Sequence, residues 1–404
     1  MSNWGFLSSL KSSVKHVLSQ GKYNKYWCKV TLVLCSIGIV LCPGAVSAAA
    51  NVQFNTVKTI DLPGKGGKGD IVAADPVAHK VYIAQKTNNN IIVVDSDTNT
   101  VSAVVYGTMM GNGVAFSPDY IFAASESDNN VTVISKKDWS IVTKLDASGK
   151  ASDGIYYISK EKTVAVVNDE SNNMTFFSAT SPFKSLGSIS LKPDDPQSGP
   201  DIGVYVEQTN TIYQPVDNNV LVINANTHKI EKVWTFDIQL TKLGGAKGIV
   251  FDPVKNVLYV GTTNKKILVV DPNTGTLVGT IAASAGQDQL SADFQNRLLF
   301  AGEGAIGKAA VVDMDTMEPL PDLDLGGVDA GVHTLDVLPG SSTLYAYQEK
   351  ANKVLAIKIN KPTKIVPLAT SPVTGLPLLP IAAIALSLIA FGFFFLRFKR
   401  HTEK

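Results

Sequence analysis

The sequence predicts an all-β fold, a seven-bladed β-propeller closed by its own N-terminal strand, followed by a single C-terminal transmembrane helix. Two observations carry the propeller. Short apolar strands end at Val94-Asp95, Ile134-Ser135, Phe177-Ser178, Ile223-Asn224, Val270-Asp271, Val312-Asp313 and Ile357-Lys358, with successive ends 40, 43, 46, 47, 42 and 45 residues apart. A unit of about 40 residues with several strands and no helix cannot bury both faces until neighbours stack on it, and radial closure supplies a neighbour on each side. The second observation is an incomplete last repeat. It offers strands at 334–338, 343–347 and 353–359 but no fourth, while residues 56–62 match the pattern of the outer strands at 101–105 and 141–145. Pairing that early strand with the last repeat closes the ring and hides strand edges that would otherwise template aggregation.

Within a repeat, apolar alternation and turn residues mark the strands. The first repeat reads 71–74, the turn Asp75-Pro76, then 81–84, 91–95, the turn Ser96-Asp97-Thr98-Asn99, and 101–105. The fifth follows the same grammar at 248–253, 257–261 and 266–271, then the turn Pro272-Asn273-Thr274-Gly275 and a strand at 276–281. Asp, Asn, Thr, Pro and Gly occupy the turns because they bond local backbone or accept unusual dihedrals, so Asp95, Asp271 and Asp313 read as turn formers rather than catalysts. The segments Val81-Tyr82-Ile83-Ala84 with 91–95, and Leu258-Tyr259-Val260-Gly261 with 267–271, resemble the YVTN-repeat β-propellers. The resemblance covers roughly residues 52–360 and weakens in the third, fourth and sixth repeats. It implies a propeller that is secreted or displayed at a surface, and it leaves the ligand open, because that family includes structural and binding proteins.

The two ends read as targeting segments. Lys22, Lys25 and Lys29 precede an apolar stretch at 30–41, Pro43-Gly44 and a small-residue run at 45–50, the layout of a secretory signal over 1–48 cleaved between Ala48 and Ala49. At the other end, 376–396 is a 21-residue uncharged stretch, long enough to span a bilayer. The basic tail at 397–404 after it places the tail in the cytoplasm and the repeats outside. Residues 361–375 between them are rich in Pro, Thr and Ser and suit a semi-extended stalk. The stalk ends in Ser371-Pro372-Val373-Thr374-Gly375, which resembles a Gram-positive sortase signal with Ser in place of the usual first Leu. The expected location is therefore extracytoplasmic and membrane-anchored, with wall attachment as the alternative.

Charge narrows the partners. The whole chain carries +1, yet residues 49–375 hold 27 basic and 34 acidic residues, a net of about −7, with Arg297 the only arginine. A backbone of phosphates is bound through clustered Lys and Arg, which this region lacks, so nucleic acid is not the expected partner. Cys28, Cys35 and Cys42 all fall in the leader, which leaves the mature chain without a thiol nucleophile, a Cys metal site or a disulfide framework.

Propellers place ligands where their innermost strands begin, at the mouth of the channel. Aligning the repeats there brings Asp70, Asn112, Asp153, Asp201 (or its neighbour Ile202), Lys247, Asp288 and His333 to comparable points. Such a ring is polar and mostly acidic; it suits an amine-bearing or sugar ligand, a divalent cation, or simply a solvated channel. No cofactor is predicted. His79 and His228 sit in turn contexts, leaving His333, paired with a carboxylate such as Asp288, as the one candidate base of a hydrolase or lyase. Recurrent tryptophans of quinoprotein blades are missing, with Trp139 and Trp234 the only two after the leader. The run Gly64-Lys65-Gly66-Gly67-Lys68-Gly69 has no following helix to bind phosphate and reads as a flexible inter-strand loop. The leading expectation is a surface-displayed binding or structural module for an extracellular protein or small molecule. The alternatives are an extracytoplasmic hydrolase or lyase and a redox accessory protein.

Overall fold

A computed structural model describes residues 52–191, 199–239 and 245–362. The predicted signal segment, sorting motif and transmembrane helix lie outside these residues, as does the stalk beyond residue 362. Among the described residues no helix is long and apolar enough to cross a membrane.

The described residues form seven four-stranded antiparallel sheets. Six are consecutive meanders, beginning with Val72–Asp75, Lys80–Gln85, Asn90–Asp95 and Thr100–Tyr106 as the first blade. The innermost strands of the second to seventh blades are Gly111–Phe116, Ser152–Ile158, Val204–Val206, Ala246–Asp252, Leu290–Asp293 and Leu335–Leu338. Each innermost strand packs beside the next around the ring, and Leu335–Leu338 returns to Val72–Asp75. The seventh blade is completed by Gln53–Asp61, which pairs with Lys353–Asn360 from Gln53 opposite Asn360 to Asp61 opposite Lys353. The closing strand thus begins three residues before the predicted segment and ends one residue earlier.

Why the middle strands read as unbroken apolar runs follows from the stacking. Ile91, Ile92, Val93 and Val94 are all fully buried. Ile91 and Val93 pack with Val114, Ile121 and Ala123 of the second blade, whereas Ile92 and Val94 pack with Tyr345, Tyr347 and Val354 of the seventh. A strand covered on both faces has no solvent side to alternate with. The outer strands lack that cover on their far edge, and each carries a one-residue bulge against its neighbour, the extra residues being Val57, Ser102, Val142, Leu186, Glu231 and Val278, with one more between Leu320 and Leu323. A bulge twists the rim and spoils it as a template for a further strand.

The turn aspartates act as the sequence predicts. Asp95 Oδ1 accepts from the backbone of Asp97 (3.1 Å) and Thr98 (2.9 Å), Asp271 Oδ1 from Asn273 (2.8 Å), and Asp313 Oδ1 from Asp315 (2.9 Å) and Thr316 (3.2 Å). The expected flexible loop at 64–69 is instead tied down. Lys65 N donates to Asn88 Oδ1 (3.0 Å), Lys68 N to Thr87 Oγ1 (2.7 Å) and Gly69 N to Glu349 Oε2 (2.9 Å), so the loop bridges the first and seventh blades at the seam. His228, expected at a surface turn, stacks flat on Phe176 with centroids 3.7 Å apart, while His79 stays exposed beside Asp97.

Candidate functional site at the polar channel mouth

The innermost strands all begin at one end of the channel, and the backbone register fixes which residue of each blade stands there. Asp70 N donates to Ala84 O (3.0 Å), Asp288 N to Gly302 O (3.0 Å) and Asp201 N to Pro215 O (3.2 Å). The matching bonds identify Asp201, not Ile202, as the fourth blade's member. Thr334 stands in the seventh blade where Ile71 and Gln289 stand in theirs, since Tyr347 N, Ala84 N and Gly302 N donate to their carbonyls, and this places His333 level with Asp70 and Asp288. Asn112, Asp153 and Lys247 each precede by two residues the paired positions Val114, Ile155 and Ile249, as Asp70 precedes Val72. The predicted ring is therefore a structural ring.

Close packing of that ring depends on the next residue. Ile71 N donates to Asn112 O (3.3 Å) and Gly248 N to Asp288 O (3.0 Å), so one blade's ring carbonyl is held by the residue after its neighbour's ring position. Glycine suits this place. A Cβ on Gly113 would lie 2.2 Å from Asp153 O, and one on Gly248 would lie 2.5 Å from Asp288 O, both inside contact distance.

A second tier, which the alignment of first strands did not reach, stands behind the ring at the ends of the second strands. It comprises Lys86, Glu126, Asp169, Asp217, Thr263, Gly304 and Glu349, each following the last residue of its strand. The signal was present in the sequence as the residue six positions after each second strand begins, but only pairing shows that these residues share an end of the channel with the ring. The two tiers interact. Lys86 Nζ lies 2.5 Å from Glu126 Oε2 and 3.8 Å from Asp70 Oδ2, Asn112 Nδ2 donates to Glu126 Oε2 (3.0 Å), and His333 Nδ1 lies 3.7 Å from Glu349 Oε2. Lys247 Nζ is paired with Asp201.

Negative charge exceeds these cations. Burial pushes the Asp70 carboxyl up to about 6, against the pull of His333 and Lys86. Burial, then the charges of Asp70, Asp201 and Asp169, hold Asp153 well above the usual carboxylate range. Asp288 and Asp169 are raised first by burial and next by Asp201. Burial opposes charge on Lys247 and His333 as well, yet in each the surrounding carboxylates outweigh it and raise the pKa. His333 is thereby favoured as an imidazolium. Its Nδ1 lies 3.7 Å from Glu349 Oε2, too long for a hydrogen bond, while Asp288 contributes the largest of the charges that favour its protonated form. Among the described residues no three His, Cys, Asp or Glu side chains gather into a metal-holding group, because the carboxylates are dealt out one blade at a time.

No protein-family model matches the chain, and no curated protein matches it. Solved structures do. Hydrazine synthase of Kuenenia stuttgartiensis aligns with a TM-score of 0.62 at 14% identity, over 75% of this chain and 97% of that one. The β-propeller domain of Cps50 (Swd1) from Myceliophteria thermophila aligns with a TM-score of 0.61 at 12% identity, over 76% of this chain and 100% of that domain. At such identities the likeness speaks for the fold alone. Sheet order, ring closure and these neighbours agree on a seven-bladed β-propeller, here with an ionic mouth at one end of its channel.

Proposed function

We propose that this chain is an exported, surface-anchored β-propeller of the YVTN-repeat kind whose acidic channel mouth binds a cationic extracellular partner. The observation that carries the reading is the charge imbalance at the mouth. The side chains of Asp153 and Asp288 stand in the ring with no hydrogen-bond or ion-pair partner among the described residues, and burial first, then neighbouring carboxylates, raise both pKa values. A ligand bearing ammonium or guanidinium groups relieves that repulsion on binding, and a mouth of one sign steers such a ligand toward itself.

Topology supports the same arrangement. Gln53 and Asn360 lie opposite each other at the end of the seventh blade where the innermost strands finish, away from the ring. A tether entering the membrane beyond residue 360 leaves from that face, and the acidic mouth then faces outward.

Spermine titrated into the full chain tests the binding reading. Binding should weaken steeply with added salt, and the double variant Asp153→Asn, Asp288→Asn should bind about tenfold more weakly. Equal affinity in variant and parent would remove the ring from the partner site. The location is checked separately: protease added to intact cells should digest the propeller and leave an epitope placed after residue 404 protected. Protection of the propeller would overturn the outward orientation.

A further inference from the structure

The opposite mouth of the channel holds a different kind of site. Where the innermost strands of the fourth to seventh blades end, they line an open cleft of about 400 Å³, within the size range of small-molecule pockets. Val206, Phe251, Phe294 and Val337 are among its apolar walls, and Asp336 is the only charged residue that lines it. No Lys, Arg or His lines it, so Asp336 faces the space without a cation.

The carboxylate is anchored but not exhausted. Oδ1 accepts from Ser291 Oγ (2.5 Å) and Val337 N (3.0 Å), and Oδ2 accepts from Ala74 N (2.8 Å). A carboxylate has about four acceptor sites, which leaves one on Oδ2 for a donor arriving from the cavity. Burial pushes its pKa up to about 6, against the three hydrogen bonds, and no neighbouring cation contributes. Burial thus penalises the charged form, and a cation seated beside it would offset that cost.

We infer that this cavity is a binding site for a small apolar molecule carrying one ammonium group, seated with its hydrocarbon body against Val206, Phe251 and Val337 and its ammonium on Asp336. The site is independent of the acidic ring. It lies at the other end of the channel, it is mostly apolar, and it offers one carboxylate rather than a distributed charge.

Benzylamine and its neutral counterpart benzyl alcohol, titrated into the full chain and followed by NMR of the ligand, test the assignment. Benzylamine should bind about tenfold to a hundredfold more tightly, the range expected for one hydrogen bond to a buried charge. Asp336→Asn should abolish that preference while benzyl alcohol binding persists. Phe294 lies half-exposed on the cavity rim, so Phe294→Lys changes a surface position and supplies an internal ammonium; it should block benzylamine with the fold intact by circular dichroism. Equal binding of the two compounds to the parent, or unchanged benzylamine binding in Phe294→Lys, would overturn the site. Asp153→Asn, Asp288→Asn should leave benzylamine binding unaltered, and a loss there would reassign the amine to the ring.

Discussion

Arg297→Ala should destabilise the propeller by about 3–5 kcal/mol, the cost of leaving a buried charge without its partner. Arg297 belongs to the sixth blade, and its guanidinium grips the fifth. Nη1 donates to Asp252 Oδ1 (2.8 Å) and Nη2 to Asp252 Oδ2 (2.6 Å), while Nε donates to Asp315 Oδ1 (2.9 Å). The Asp252 side chain is fully buried, and its Oδ1 also accepts from Val254 N (2.9 Å) in the turn that ends the strand. Removing the arginine strands that carboxylate between two blades. Lysine cannot match the planar two-pronged fit, so Arg297→Lys should recover only part of the loss. Adding Asp252→Asn to Arg297→Ala should recover more, since no buried charge then remains. Urea unfolding of the three variants measures this, and a loss below about 1 kcal/mol in Arg297→Ala would mean that the pair adds little beyond its own desolvation.

The propeller should also gain stability as the solution is acidified from about pH 7.5 toward pH 5. Asp70 has a folded pKa raised to about 6, above the ordinary value. The folded state therefore binds the proton more tightly than the unfolded chain, and stability falls as pH rises through that interval. Asp153 and Asp288 are raised too and act in the same direction, as does His333, whose raised pKa gives stability that is lost at higher pH. One group opposes within the interval: burial lowers the His228 pKa, so its stabilisation is lost as pH falls through it. The other opposing groups enter lower. Asp252, Glu126 and Asp313 have lowered pKa values, so their stabilisation is present above the unfolded carboxylate range, about 4, and is lost as pH falls below it. Asp70→Asn should flatten the upper part of the profile and raise stability at pH 7.5 by roughly 1–3 kcal/mol. Thermal unfolding across this range decides the matter: parallel curves for parent and variant would show that Asp70 does not carry the proton linkage.

Arg297 and Asp70 show what a linear reading reaches and where it stops. Arg297 was conspicuous as the only arginine between the leader and the C-terminal segment, yet nothing local connects it to Asp252, 45 residues earlier. Asp70 was legible as a channel-mouth residue because strand periodicity is local, and local patterns align across repeats. Lys86, Glu126 and Glu349 were not, since their membership of the mouth depends on the second strand returning to the end where the first began. For His333 the sequence offers a carboxylate such as Asp288 in the adjacent blade; the structure adds Glu349 of its own blade, 3.7 Å away, because the second strand returns to the end where the first began.

The sequence by itself determined the repeat, the blade count, the N-terminal strand at the seam, the turn-forming aspartates and the ring positions except in the fourth blade, where the structure chose Asp201 over Ile202. All of these rest on short-range periodicity and turn chemistry, which the chain carries in its order. The tertiary structure alone decided which charges meet, which way their pKa values move, that the loop at 64–69 is pinned, and that the far mouth forms an open, mostly apolar cleft beside one carboxylate. Those properties arise from burial and from contacts between blades, and burial is set by closure of the ring.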